Sequence, residues 1–198
     1  MMKAVLISMI ALGLSGAAMA ATVGQPAPGF TLTDSNGKAH SLADFKGKTV
    51  VLEWTNHECP FVVKHYDARN MQAQQVAATG DDVIWLNVNS GAPGKQGSVD
   101  GAGANAVMAE KGHKSTAYLL DPDGKVGKAY GAKTTPHMYV IDADGMLAYN
   151  GAIDSIPSAD QADIPKATQY VTQALSELGA GKPVSVATSK PYGCSVKY

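Results

Sequence analysis

The sequence predicts an α/β fold: a mixed central sheet flanked by helices on both faces and preceded by a β-hairpin. Three observations carry this. Strand-like and helix-like segments alternate from Thr49 to Tyr130, and such alternation lays strands side by side with helices over the faces. Val50-Val51-Leu52-Glu53-Trp54 is almost continuously apolar, the pattern of a strand covered on both sides. Two late apolar runs, Met138–Ile141 and Met146–Tyr149, are separated only by Asp142-Ala143-Asp144-Gly145, so they close the sheet as an antiparallel pair.

The elements follow in order. Thr22 to Gly29 holds two prolines and reads as a linker. Phe30 to Thr33 alternates like a strand, and the Asn36-Gly37 pair predicts a hairpin to Ala39-His40-Ser41. Ser41 to Phe45 reads as one helical turn. After the Val50 strand, a single helix is predicted from Pro60 to about Thr79. Val62, Tyr66, Ala73 and Ala77 would form its apolar stripe, with Gln72, Gln74 and Gln75 outside and Gly80 as its stop. Asp82 to Asn89 is the next strand, and Ser90 to Gly103, rich in glycine, a loop. A short helix over Asn105–Lys111, a strand at Tyr118–Leu120, a turn at Asp121-Pro122-Asp123-Gly124 and a helix over Val126–Tyr130 come next. The closing hairpin leads to a helix over Ile164–Leu178, with Ala167, Tyr170, Val171, Ala174, Leu175 and Leu178 on one face. The Asp-x-Asp-Gly turns at Asp121 and Asp142 lack the glutamate that closes a calcium loop and read as turn chemistry.

Bulk properties narrow the function. The chain has 198 residues, 45% hydrophobic and 17% charged, enough for one domain with a full core. Its formal net charge of −1 offers no footprint for nucleic acid. Lys3, the apolar stretch Ala4–Leu14 and the Ala18-Met19-Ala20 site have the form of a secretory signal peptide cleaved after Ala20. The expected organisation is therefore a signal peptide at 1–20, a domain at 21–180 and a tail at 181–198. No membrane span is expected after cleavage, and the location is periplasmic or secreted.

The two cysteines, Cys59 and Cys194, are read in that light: an even pair in an oxidising compartment suggests a disulfide. Cys59 precedes Pro60, which suits the first helical position because its missing N–H needs no partner there. Cys59 then falls at the N-cap, where unpaired backbone N–H groups and the helix dipole favour a thiolate. The alternative for such a residue is a small buried hydrophobe.

Three pieces in this order, namely Trp54 with a short loop to Cys59-Pro60, Thr134-Thr135-Pro136-His137 before a strand, and the terminal Gly193-Cys194-Ser195-Val196-Lys197-Tyr198, carry a resemblance. The chain resembles the peroxiredoxin-like branch of the redoxin (alkyl hydroperoxide reductase/thiol-specific antioxidant) group within the thioredoxin-like superfamily, from about Val23 to the C-terminus. The resemblance implies that Cys59 is the nucleophile, Pro136 the cis-proline beside it, and Glu53 a buried acid that could relay a proton. It also marks departures. Val62 stands where thioredoxins carry a second cysteine. Asn56 stands where true peroxiredoxins carry a threonine, and Arg69, the only arginine, lies down the same helix. Lys133 is the candidate substitute for the missing charge.

The implied activity is that of an exported thiol-disulfide oxidoreductase or peroxiredoxin-like antioxidant. Cys59 attacks a protein disulfide or a peroxide, Cys194 on a mobile tail resolves the product, and an external thiol donor reduces the pair. No cofactor is implied. Two rivals remain open: a structural Cys59–Cys194 disulfide, and a soft-metal (copper) site of His57, Cys59, His65 and His137.

Overall fold

The computed structural model describes residues 21–198. The expected signal peptide lies outside the described residues. The strands are β1 (Thr31–Asp34), β2 (Ala39–Ser41), β3 (Val50–Trp54), β4 (Ile84–Asn89), β5 (Ala117–Leu120), β6 (Thr134–Thr135), β7 (His137–Ile141), β8 (Leu147–Gly151) and β9 (Cys194–Ser195). The helices are α1 (Pro60–Asp67), α2 (Asn70–Gly80), α3 (Gly101–Lys111), α4 (Lys125–Tyr130) and α5 (Tyr170–Gly179), with 3-10 turns at Leu42–Phe45 and Gln161–Lys166.

Among the described residues, seven strands form one sheet in the order β2-β1-β5-β4-β3-β7-β8. β3, β4 and β5 are mutually parallel, while β7, β8, β1 and β2 join antiparallel. β3 lies at the centre with all five residues buried, as its unbroken apolar run predicts. Its alternate side chains feed two cores. Val50, Leu52 and Trp54 pack with Leu86, Val88, Leu119, Tyr130 and Tyr139. Val51 packs on the opposite face with Cys59, Val62, Tyr66, Met71, Trp85, Met138, Val140 and Val171. Full burial of one such large apolar side chain contributes about 1.5–3 kcal/mol over leaving it exposed.

Three expectations need correction. The single helix from Pro60 is two helices, broken at Arg69, whose φ is 61°. The Tyr66 carbonyl left by the break accepts from the Arg69 N–H at 3.0 Å and from Gln72 Nε2 at 2.9 Å, so the break leaves that buried group satisfied. It also shifts the phase of α2. Met71, Gln72, Gln74, Gln75 and Ala78 are buried, while Ala73 and Ala77 face solvent, the reverse of the expected stripe.

The helix expected at Ile164 starts at Tyr170. Residues 167–169 are instead held to the neighbouring strand end: Ser155 N–H donates to Thr168 O, and Tyr170 N–H to Ile153 O, both at 3.1 Å. The expected loop to Gly103 ends earlier, because Asp100 caps α3 by accepting from Gly103 N–H at 2.8 Å. Asp142, read as turn chemistry, does accept from the N–H groups of Asp144 and Met146. No helix among the described residues is long and apolar enough to cross a membrane.

Candidate functional site

The site forms where β3 ends. Thr55 N–H continues the ladder to Val88 O at 3.0 Å, and Cys59 N–H closes a turn on Asn56 O at 3.0 Å. Pro60 then occupies the first helical position of α1 with Cys59 as N-cap, as predicted. The Cys59 carbonyl accepts from the N–H groups of Val62 and Val63 at 2.9 and 2.8 Å. Its side chain makes no capping bond and points elsewhere.

It points at the C-terminal tail. Cys59 Sγ lies 2.7 Å from Cys194 Sγ and 3.0 Å from Thr135 O, and the Cys194 N–H points back at it from 3.4 Å. No disulfide bond joins the two sulfurs in the structure. Cys59 is 0% exposed, whereas Cys194 is half-buried. Burial pushes the Cys59 thiol up, but hydrogen bonds from the Cys194 and Thr135 side chains and from the N–H groups of Cys194 and Val62 outweigh it, so its pKa falls below the ordinary value. Cys194 is pushed up to about 11 by burial, by its bond to Cys59 and by the charge of Cys59. Within the pair, the thiolate is favoured on Cys59 over Cys194.

The tail is not the loose arm expected. β9 pairs antiparallel with β6, setting Cys194 opposite Thr135. Val196 N–H donates to Lys133 O at 3.0 Å, Ala92 N–H to Lys197 O at 2.8 Å, and Tyr198 hydroxyl to Ala132 O at 2.8 Å. Gly193, at φ 127°, lets the chain pass against β6, since a Cβ there would sit 2.0 Å from Thr135 O. The Thr135–Pro136 bond is cis, and Pro136 directly precedes β7, whose His137 pairs with Trp54 of β3. The sequence thus brings together Cys59, Cys194 and the Pro136 turn. Thr135, which faces both sulfur-bearing residues, was missed as a site residue. Its position just before the proline of the motif was the available signal.

Glu53 is 0% exposed in the central strand, not at a solvent edge. Its carboxylate accepts from Trp85 Nε1 at 2.8 Å, Tyr66 hydroxyl at 2.9 Å and Gln75 Nε2 at 3.3 Å. Burial pushes its pKa up, against those hydrogen bonds. Its partners lead to Asn87 and His113 through the Tyr66 hydroxyl. Among the described residues, no hydrogen bond joins Glu53 to Cys59.

Other expected participants are engaged elsewhere. Asn56 holds the 90–100 loop: its Nδ2 donates to Gln96 O at 3.3 Å and its Oδ1 accepts from Glu58 N–H at 2.9 Å. Arg69 and Lys133 are exposed. His137 is buried between Asn150 Oδ1 at 2.8 Å, Tyr139 hydroxyl at 3.1 Å and Lys133 N–H at 3.2 Å. Burial holds its pKa down to about 4, with Asn150 opposing. His65 Nδ1 meets Asn70 at 2.8 Å. The rival histidine–cysteine site does not assemble: among the described residues, no three His, Cys, Asp or Glu side chains are placed to hold a metal ion.

Thiol-disulfide oxidoreductase ResA of Bacillus subtilis (strain 168) is 27% identical over 124 residues, covering 63% of this chain and 64% of its own length. Chloroplastic peroxiredoxin Q of Triticum aestivum is 31% identical over 134 residues, covering 64% and 57%. The chain therefore spans under two thirds of the length of these relatives. In three dimensions it is similar to an uncharacterized conserved protein from Geobacillus kaustophilus, with TM-score 0.77, 28% identity, and coverage of 89% of this chain and 92% of that one. It shares its fold with the thioredoxin domain of a thiol-disulfide oxidoreductase from Bacteroides vulgatus, with TM-score 0.52, 19% identity, and coverage of 73% and 96%. The fold is thioredoxin-like, and the Redoxin family model matches residues 22–171. The chain belongs to the Redoxin family.

Proposed function

We propose that this chain is an exported thiol redox enzyme that reduces disulfides through a Cys59–Cys194 cycle. The observation that carries the reading is the facing pair of sulfurs, 2.7 Å apart, with the anion favoured on the residue at the helix start.

Cys59 thiolate attacks one sulfur of a substrate disulfide, forming a mixed disulfide and releasing the other sulfur as a thiolate. Cys194 gives up its proton, attacks Cys59 Sγ, and expels the second substrate thiolate. The enzyme is left as the Cys59–Cys194 disulfide, and an external dithiol donor returns it to two thiols. Two electrons pass from donor to substrate in each round. Because Cys59 is fully covered, the tail must shift before a substrate sulfur can reach it.

A peroxide would follow the same path through a sulfenic acid, with water lost when Cys194 condenses. The disulfide substrate is favoured because Asn56 is bound to the 90–100 loop and Arg69 is exposed on the turn between α1 and α2. Neither offers the polarising groups that peroxide cleavage uses. Glu53 supports the reading as a buried acid whose pKa burial raises, and Pro136 as the residue that turns the chain past Cys59.

One observation favours a second reading. The tail is bonded on both sides of Cys194, which suits a permanent staple. The reduction potential and turnover of wild type and Cys194→Ser separate the two. A potential well above about −300 mV with disulfide turnover lost in the variant is expected of the cycle, and a potential below about −300 mV without turnover would refute it.

A further inference from the structure

We propose that Asp154 is a positioning residue for the two-cysteine cycle: its buried carboxylate ties the tail that carries Cys194 to the helix that begins at Cys59, and so sets how often the two sulfurs meet. The proposal rests on the reading that this pair alternates between dithiol and disulfide.

Asp154 lies just beyond β8 and is 1% exposed. Its Oδ1 accepts from the Tyr192 hydroxyl in a short hydrogen bond and from Ile156 N–H at 3.1 Å. Its Oδ2 faces Lys64 Nζ at 3.4 Å and His65 Nε2 at 3.6 Å. Lys64 and His65 belong to α1, and the side chains of all three ionisable residues are 0% exposed. Tyr192 stands two residues before Cys194, and its ring meets Phe61, two residues after Cys59, edge-on at 5.7 Å. One carboxylate therefore contacts both chain segments that supply the sulfurs.

The chemistry of the cluster fits positioning better than bulk stabilisation. Lys64 Nζ faces the Asp154 carboxylate at 3.4 Å, and burial holds His65 down to about 4 against the pull of Asp154, with Lys64 reinforcing burial. A buried ion pair adds little stability over apolar residues of the same volume, but it constrains geometry. If the tail lifts at Tyr192, Asp154 loses a charge-assisted hydrogen bond from the Tyr192 hydroxyl. Gly193 follows at once, at φ 127°, so the chain turns toward Cys59 immediately after its anchor. An anchor this close limits the volume that Cys194 can explore, and effective concentration rises as that volume falls.

The test is the thiol–disulfide equilibrium of the pair in glutathione buffers, read by counting free thiols, beside the melting temperature of the dithiol form. Asp154→Asn alone strands the Lys64 charge, so Tyr192→Phe is the main variant; it keeps the ring against Phe61 and removes only the hydroxyl. The effective concentration of the two thiols is expected to fall about tenfold, equivalent to about 30 mV in potential, with little change in melting temperature. The double variant Asp154→Asn/Lys64→Met keeps a neutral acceptor for Tyr192 and is expected to lose less. A ratio within twofold of wild type in both variants overturns the proposal, as does a lower melting temperature with an unchanged ratio. A wild type that forms the disulfide but turns over no substrate sinks the enzymatic reading and leaves the positioning role standing.

Discussion

Gly193→Ala tests the docking of the tail against the cis-proline turn. A Cβ at this position would lie 2.0 Å from Thr135 O and 2.9 Å from Thr135 C. Reaching an ordinary carbon–oxygen contact of about 3.3 Å requires a displacement of about 1.3 Å. The obstacle is the Thr135 backbone rather than a flexible side chain, so the tail must yield. Alanine at φ 127° adds about 1–2 kcal/mol of backbone strain. Displacing β9 breaks the pairs Thr134↔Ser195 and Thr135↔Cys194, at about 1 kcal/mol net for each hydrogen bond lost. Together these cost about 2–4 kcal/mol of tail docking, and every 1.4 kcal/mol is tenfold. The disulfide requires the docked tail, whereas the dithiol does not. The Cys59–Cys194 disulfide should therefore lose stability by at least about thirtyfold in glutathione buffers. The assay is mass-resolved thiol counting across a series of buffers, with circular dichroism to confirm the fold. If Gly193→Ala forms the disulfide at the wild-type ratio, the tail does not hold Cys194 as described.

Further outcomes follow from the same geometry. Cys194→Ala removes the largest influence that holds the Cys59 thiol down, so the thiolate absorbance of Cys59 should titrate at higher pH than in reduced wild type; an unchanged midpoint would mean that Cys194 does not stabilise the anion. Glu53 is held above its ordinary 4.5 by burial, so the folded state retains its proton more tightly than the unfolded chain does. That favours folding below 4.5 and is lost as pH rises through the folded-state value. Relative to Glu53→Gln, wild type should lose stability as pH is raised above 4.5 and then level off, as read from denaturant midpoints; a difference flat with pH contradicts a raised Glu53. Gly97→Ala would put a Cβ 1.9 Å from Asn56 Oδ1 and should destabilise by about 1–3 kcal/mol. In a cycle with Asn56→Ala, the double variant should cost at least about 1 kcal/mol less than the sum, and strict additivity would show that the loop does not bear on Asn56.

Much of the fold and half of the candidate site were legible from the chain itself, because they depend on neighbours in sequence. An unbroken apolar run needs cover on both faces, which made β3 central. Proline at a helix start and a cysteine before it are local chemistry, as are the asparagine–glycine hairpin and the aspartate-rich turns. The rest depended on partners far along the chain. Arg69 breaks the expected helix without a glycine or proline; a glutamine side chain satisfies the freed Tyr66 carbonyl and also reaches Lys111 O, and the resulting phase shift buries glutamines where periodicity placed alanines. β9 is two residues long and exists through its register with β6, so no local pattern announces it. Asp154, between a strand and a turn, has no motif. Lys64, His65 and Tyr192 give it meaning, and they lie 90, 89 and 38 positions away in sequence. The sequence by itself determined the sheet, the cysteine at the helix start and its proline; tertiary structure decided which thiol faces it, because pairing across 135 residues is set by packing and register rather than by any preference within a few residues of the chain.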